Sequence, residues 1–193
     1  MSDTEAVSLV PDATVGRLVT AVTLAALTAV LAQVSIQLPG GIPFSLQPFG
    51  VFFAGLLLGP AWGGFALLVY LLVGVAGAPV FSNAGAGLGY LLGPTGGFLL
   101  GFLLGAVLLG VIVHRSLEPR RLDTRSTPLL VLGLLGALLG TYAIGVPWFA
   151  TVQGWTLVQA GVFMAPFLLG DLIKAAIALA VVRRHGDRLA RFQ

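Results

Sequence analysis

Two charged residues of opposite sign lie one helical turn apart inside a long apolar run. Asp171 and Lys174 are the only charged residues between Arg125 and Arg183. Residues three apart on a helix are neighbours, so the carboxylate and the ammonium can form an ion pair. Each group costs about 2.5 to 3.5 kcal/mol at the centre of a membrane helix, so such residues usually face a cavity or a partner. The pair predicts either a polar ligand site or an ion pair that only eases insertion.

The remaining titratable groups do not form a catalytic arrangement. His114 and His185 each adjoin arginines and lack a nearby cluster of carboxylates, which favours packing at the interface over catalysis or metal binding. The glycine-rich stretch GPTGGFLLG lacks the Lys and Ser/Thr that a phosphate-binding loop requires. There is no cysteine, so thiolate metal sites and cysteine nucleophiles are excluded. We therefore predict no enzyme, no metal and no cofactor.

Uncharged polar and aromatic residues could complete a ligand site around the pair. Several lie in loops that carry no charge: Gln47, Asn83, Tyr90, Gln153 and Trp155. Small-ligand pockets combine a few placed polar groups with apolar walls. Tyr142, Trp148 and Trp155 can stack on a ligand or anchor the chain at the membrane interface. Their spacing alone does not distinguish these two roles.

The composition requires a membrane protein to hold these residues. Of 193 residues, 58% are hydrophobic and 9% are charged, whereas soluble domains carry about 25% charged residues. At about 20 residues per span, the length accommodates one bundle of five or six helices. The formal net charge is +3. The arginines nevertheless cluster at helix ends, as in cytoplasmic loops, which argues against nucleic-acid binding.

Hydropathy and two glycine-proline junctions predict six helices. We expect them at about residues 17–38, 49–58, 61–76, 93–114, 128–149 and 166–182. Gly59-Pro60 and Gly93-Pro94 each combine a residue that ends helices with one that suits a first helical turn. The polar, acidic segment 1–16 lacks the features of a signal peptide, so the first helix should be retained.

The segment that carries the charged pair has two interpretations. It could be one long helix over residues 157–182, kinked at Pro166, or a short interfacial helix at 156–164 followed by a spanning helix from Pro166. We favour the second, because proline suits a first turn and the remaining residues, about 17, are just enough to span. Asp171 and Lys174 would then lie in the first two turns of the last helix, beneath the outer loops.

Arginine placement predicts the orientation of the membrane domain, which we assign to residues 17–184, and of the basic tail at 185–193. The arginines of the loop after the fourth helix and of the tail are Arg115, Arg120, Arg121, Arg125, Arg183, Arg184, Arg188 and Arg191. Cytoplasmic loops are enriched in Lys and Arg. Both termini of this multi-pass protein of the cell membrane are therefore expected in the cytoplasm.

Four sequence blocks resemble the BioY family, the biotin-binding substrate components of energy-coupling factor transporters. They are PFSLQPFGVFFAGLLLGP at 43–60, GYLLGPTGGFLLGF at 89–102, Y-x-x-G-x-x-W-F at 142–149 and PFLLGDLIKA at 166–175. The blocks occur in the family's order, and the resemblance covers about residues 15–182. The sequence departs from the common pattern at Phe98, at Leu169 and in the loop VFSNAGAG.

The resemblance implies an all-α bundle of six membrane helices that captures biotin on the outer face. Delivery inward would require a membrane-embedded coupling subunit and two cytoplasmic ATPases, in agreement with the lack of a phosphate-binding loop. The small-residue face of helix 1, formed by Ala21, Ala25 and Ala29, is the expected contact with the coupling subunit. Packing of that face inside the bundle is the alternative, because such patterns are frequent in membrane helices.

Biotin also suits the chemistry of the candidate residues. Under the resemblance, Asp171 would accept a ureido N–H, Lys174 would bind an oxygen of the ligand, and Asn83 and Gln47 would supply neutral hydrogen bonds. The aromatic residues expected to cover the ring and chain are Tyr90, Tyr142, Trp148 and Trp155. Which end of biotin meets Asp171 is left open.

Two other functions remain open at this point. One is a substrate component of the same transporter class for another vitamin. The other, from a different class, is an ion-coupled secondary carrier or a small membrane enzyme. A carrier usually needs a second ionisable site within the membrane, and an enzyme would need a catalytic cluster near His114 or His185. The sequence offers neither.

Overall fold

A computed structural model describes residues 12–37 and 42–189. Parts of the sequence predictions lie outside these residues: the start of the polar N-terminal segment, residues 38–41 of the first loop, and residues 190–193 of the basic tail. The long helices are α1 (Asp12–Gln33), α2 (Gln47–Val75), α4 (Gly96–His114), α5 (Thr127–Gln153) and α6 (Leu157–Leu189). Each is long and apolar enough to cross a membrane, as expected of a multi-pass membrane protein.

Helix α2 is folded back on itself and forms two arms. Gly59 has φ 70° and ψ −171°, a conformation that breaks the helix and suits glycine, and Pro60 follows. Gln47 Nε2 donates to the hydroxyl of Tyr70 at 2.6 Å, although a straight helix would separate the two by about 34 Å. A Cβ on Gly63 would lie 2.7 Å from the Ala54 carbonyl oxygen, so the arms touch. The first arm (residues 47–58) and the second arm (residues 60–75) confirm six helical segments.

His114, at the end of α4, holds the turn between the two arms. The Leu56 carbonyl would normally accept a hydrogen bond from residue 60, but proline has no N–H. His114 Nε2 donates to that carbonyl at 2.9 Å, and its Nδ1 accepts the Arg120 N–H at 2.8 Å. These two contacts require the neutral ring with its proton on Nε2. The buried histidine therefore has the packing role predicted for it.

Helix α6 corrects the predicted break at Pro166. It runs from Leu157 to Leu189 with Pro166 in its interior, so residues 156–164 are not a separate interfacial helix. Its start is fixed by a capping box: Gln159 Oε1 accepts the Thr156 N–H at 2.9 Å, and Thr156 Oγ1 accepts the Gln159 N–H at 3.2 Å. No residue of the usual capping types precedes Pro166, since Ala165 stands there.

Two local elements were not predicted from the sequence. Strands β1 (Ser35–Gln37) and β2 (Pro43–Ser45) pair antiparallel, with Ile36 opposite Phe44. Because β1 takes these residues, α1 ends at Gln33 rather than near residue 38. The loop before α4 contains the short helix α3 (Gly87–Leu91).

The two ends of the bundle differ in charge. At one end, here called the arginine end, Arg17 pairs with Glu118 at 2.5 Å, and Arg183 Nη2 donates to the Arg125 carbonyl at 2.8 Å. The start of α1 and the end of α6 therefore lie at the same end. The opposite end, here called the loop end, carries the β1–β2 pair, α3 and the α5–α6 turn at Gly154.

Candidate ligand-binding site

A cavity lies between the helices beneath the loop end. Its lining combines aromatic rings with a few polar side chains, some from α6 and some from the β2 segment. The sequence-predicted residues that line it are Gln47, Tyr90, Tyr142, Asp171 and Lys174. Residues that sequence reasoning did not assign to the site also line it: Phe44, Ser45, Thr95, Phe98, Thr141 and Phe167.

The Asp171–Lys174 ion pair forms the polar floor of this cavity. Lys174 Nζ lies 2.7 Å from Asp171 Oδ1, and Tyr142 on α5 donates its hydroxyl to Oδ2 at 2.9 Å. Asp171 is 8% exposed and Lys174 is 5% exposed. Removing charges from water is costly unless they are paired and hydrogen-bonded, and here each carboxylate oxygen has a partner. The predicted ion pair is therefore present, and it faces a cavity.

The pair lies near the middle of the span and not in the first two turns of the last helix as predicted, because α6 begins at Leu157 rather than at Pro166. At about 1.5 Å per residue, Asp171 is about 18 Å along α6 from Arg183. Lys174 is about 14 Å from Arg183 on the same scale, and the hydrocarbon core is about 30 Å thick, so the two residues lie on either side of its middle.

Phe44 of β2 closes the cavity above Lys174. Its ring centroid lies 3.9 Å from Lys174 Nζ, the geometry of a cation–π contact. The ring also packs against Phe167, with centroids 6.2 Å apart. A Cβ on Gly170 would lie 2.3 Å from atoms of the Phe44 ring, so the ring can occupy this position only because residue 170 is glycine. Lys174, Phe167 and Gly170 of α6 thus hold a loop residue over the site.

Gln47 lines the cavity, but its amide holds the loop end together. Its Oε1 accepts the hydroxyls of Ser45 at 2.8 Å and Ser82 at 2.7 Å, and its Nε2 donates to Tyr70. The Tyr70 hydroxyl in turn donates to the Val80 carbonyl at 3.1 Å. The amide oxygen is therefore engaged by two donors from the chain, which the sequence prediction of a ligand contact did not foresee.

Tyr90 forms part of the wall next to β2. Its ring stacks on Phe81 with centroids 5.1 Å apart, and its hydroxyl donates to the Ser82 carbonyl at 3.3 Å. Burial raises the pKa of the Tyr90 phenol above its usual value. The hydroxyl therefore remains a neutral donor at physiological pH.

Three predicted ligand residues lie outside the cavity. Asn83 accepts the Ser35 hydroxyl at 3.0 Å and donates to Gln37, so it ties its loop to β1. Trp148 donates its indole N–H to the Gly93 carbonyl at 3.0 Å. Trp155 is 38% exposed and packs edge-on against Phe149, with centroids 5.4 Å apart. Their polar groups and rings are used by the chain itself, at positions away from Asp171.

The predicted partner face of helix 1 is also corrected. Ala21 and Ala25 are 0% and 6% exposed, and Ala29 is partly buried, because this face of α1 packs inside the bundle. The alternative of internal packing is therefore the correct one. The outward face of α1 is formed by larger residues such as Val19, Val22 and Val30.

The described residues contain no group of three or more His, Asp or Glu side chains that could hold a metal ion. The cavity itself offers one carboxylate and one ammonium, and these two neutralise each other. Its chemistry is that of a binding site for a neutral or zwitterionic group flanked by apolar surface.

The fold and the cavity define a multi-pass membrane protein with an internal cavity. Residues 4–191 match the BioY family, and the chain belongs to that family. A protein of Pyrococcus horikoshii named probable biotin transporter BioY is 35% identical over 160 residues, covering 82% of this chain and 89% of its own length. The biotin transporter BioY of Thermotoga maritima is 37% identical over 160 residues, with the same coverage.

Solved structures share the fold. The biotin S-component of an ECF-type ABC transporter superposes with a TM-score of 0.81 at 25% identity, covering 92% of this chain and 94% of its own. A structure of FolT bound with folic acid has a TM-score of 0.59 at 18% identity, covering 91% of this chain and 97% of its own. The second likeness bears on the fold alone.

Proposed function

We propose that this chain is the biotin-binding component of a vitamin uptake transporter, and that the cavity beneath Phe44 is its biotin site. The observation that carries the proposal is the buried group of Asp171, Lys174 and Tyr142 among aromatic walls. Biotin has a polar ureido group, an apolar sulfur ring and chain, and a carboxylate. A cavity with one compact polar floor and apolar sides matches a ligand of this kind.

The polar floor has hydrogen-bonding capacity left for a ligand. A carboxylate offers about four acceptor positions, and Asp171 uses one on each oxygen, for Lys174 and for Tyr142. The remaining positions can accept ureido N–H groups. Lys174 has three N–H donors, one of which is directed at Asp171. A carbonyl or carboxylate oxygen of biotin would take another, as a charge-assisted hydrogen bond.

Binding requires that Phe44 move away from Lys174. The cavity has a volume of about 60 Å³, whereas pockets for small ligands measure about 300 to 1,000 Å³. Phe44 covers the ammonium on the side that faces the loop end. Displacement of β2 would enlarge the cavity and exchange the cation–π contact for a hydrogen bond to the ligand.

The orientation and the energy source follow from the same proposal. The arginine end faces the cytoplasm, because Lys and Arg are enriched in cytoplasmic loops, so both termini are cytoplasmic and biotin enters from the loop end. The sequence carries no phosphate-binding loop. ATP hydrolysis would come from two cytoplasmic ATPases, acting through a membrane-embedded coupling subunit.

Isothermal titration calorimetry of the purified chain tests the ligand directly. We expect biotin to bind saturably, one molecule per chain, while riboflavin, thiamine and folate give no saturable heat. A folded sample that does not respond to biotin would contradict the proposal. Saturable binding of one of the other vitamins instead would identify a substrate component for that vitamin.

A further inference from the structure

The arginine end carries more positive charge than its own acids neutralise. Its described acidic side chains are Glu118, Asp123 and Asp187. Glu118 pairs with Arg17, and Asp123 accepts two hydrogen bonds from Arg121, at 3.2 and 2.7 Å.

Two other arginines meet without an acidic partner, at the junction between the start of α5 and the end of α6. Within residues 12–37 and 42–189, neither Arg125 nor Arg183 forms an ion pair. Arg183 Nη2 donates to the Arg125 carbonyl at 2.8 Å, which fixes the last turns of α6 against the loop before α5. The same junction is closed by Gly186, where a Cβ would lie 3.4 Å from Asp123 Cα. The Arg183 guanidinium therefore lies against the backbone of Arg125, in one packed corner of the molecule.

One donor in this corner lacks a partner although it is buried. The Nε of Arg125 is shielded from solvent and makes no hydrogen bond within the described part of the chain. Buried N–H groups without a partner cost about 1 to 3 kcal/mol each. Arg125 directly precedes Ser126, the N-cap of α5, whose side chain makes no capping hydrogen bond. An acceptor placed here would satisfy a guanidinium and face the positive end of a 27-residue helix.

From this corner we infer a binding site for the phosphate group of an anionic phospholipid, held by Arg125 and Arg183. Guanidinium groups bind phosphate oxygens through paired N–H donors. The corner lies just before α5 begins at Thr127 and where the apolar run of α6 stops at Val182, which is the depth expected of lipid headgroups. Cytoplasmic leaflets are rich in anionic lipids, and basic residues next to membrane helices recognise them. The site is separate from the biotin cavity and lies at the opposite end of the bundle.

Native mass spectrometry of the full chain in detergent, titrated with phosphatidylglycerol, tests this site. We expect one tightly retained phosphatidylglycerol and no comparable retention of phosphatidylcholine. Arg125→Gln and Arg183→Gln should each weaken phosphatidylglycerol binding about five-fold, the effect of one basic residue at an anionic surface. Arg17→Gln is the matched control, because it removes the same charge from α1, which pairs with Glu118 away from the corner. It should change the affinity less than two-fold.

Each other outcome overturns the inference. Equal weakening by Arg17→Gln would show diffuse attraction to the whole arginine end rather than a built site. Equal retention of the two lipids in the wild-type chain would exclude headgroup recognition. Inorganic phosphate or glycerol phosphate that displaces the lipid at micromolar concentration would assign the site to a soluble phosphate. If Arg125→Gln does not fold, Arg183→Gln decides alone, since the Arg183 side chain is exposed.

Discussion

The ring of Phe44 lies 3.9 Å from the ammonium of Lys174. One residue belongs to a strand at the loop end and the other to the middle of α6, so this contact joins the cover of the cavity to its floor. If the proposed function is correct, we expect both the access of the ligand and the stability of the ligand-free chain to depend on this contact.

Replacing Phe44 by leucine should destabilise the ligand-free chain. A cation–π contact contributes about 0.5 to 2 kcal/mol, more when it is desolvated, and leucine keeps the apolar cover but not the ring. We expect a lower melting temperature for Phe44→Leu in a thermal-shift measurement. Phe49→Leu is the control, because Phe49 stacks on Phe53 and is similarly half-buried. Equal melting temperatures for the two variants would show that the contact with Lys174 contributes nothing.

Gly170→Ala should strengthen biotin binding, because it displaces the Phe44 ring from the position over Lys174 that the ring leaves when biotin binds. The added Cβ would lie 2.3 Å from ring atoms, a distance that requires the ring to leave that position. Gly161→Ala, on the same helix with nothing within 4 Å of its Cβ, should keep the wild-type affinity. Calorimetry with biotin measures both. If Gly170→Ala binds biotin no more tightly than the wild type, the position of Phe44 over Lys174 does not limit binding.

His114→Ala should strongly destabilise the hairpin of α2. It removes the hydrogen bond to the Leu56 carbonyl and the one from the Arg120 N–H, each worth about 0.5 to 1.5 kcal/mol, together with the packing of a buried ring. His185→Ala, a partly buried histidine near the end of α6, is the matched control. Thermal unfolding should separate the two variants clearly. Similar unfolding temperatures would mean that Gly59 and Pro60 hold the turn without the histidine.

The sequence predicted those parts of the fold that have strong local signals. Gly59-Pro60 breaks α2 where expected, because a positive φ and a missing N–H act within one turn. Pro166 gave the same local signal and did not end the helix. Membrane helices tolerate an interior proline, because other groups can satisfy the carbonyl that it frees. The absence of a capping residue before Pro166, together with the capping box at Thr156, would have distinguished the two cases.

The sequence predicted the charged residues that line the cavity better than it predicted which aromatic and amide side chains surround them. Asp171 and Lys174 were identified because charge within an apolar helix is rare, and Tyr142 bonds to the same carboxylate. The sequence could not show which way Trp148, Trp155 and Asn83 point, since their partners are distant in the chain. The sequence did not indicate that Phe44 covers the cavity, because its position depends on the pairing of β1 with β2. It also depends on the space left by Gly170, more than a hundred residues later in the chain.

The central claim is that the Asp171–Lys174 pair binds biotin rather than only neutralising itself. Calorimetric titration of the wild type, Lys174→Met and Asp171→Asn with biotin tests it most directly, with Asp187→Asn, an exposed acid on the same helix, as the control. A lost charge-assisted hydrogen bond costs about 1.5 to 3 kcal/mol, so each pair variant should bind about 10- to 100-fold more weakly, while the control binds normally. Wild-type affinity in folded Lys174→Met and Asp171→Asn would contradict the claim and leave the pair a structural ion pair.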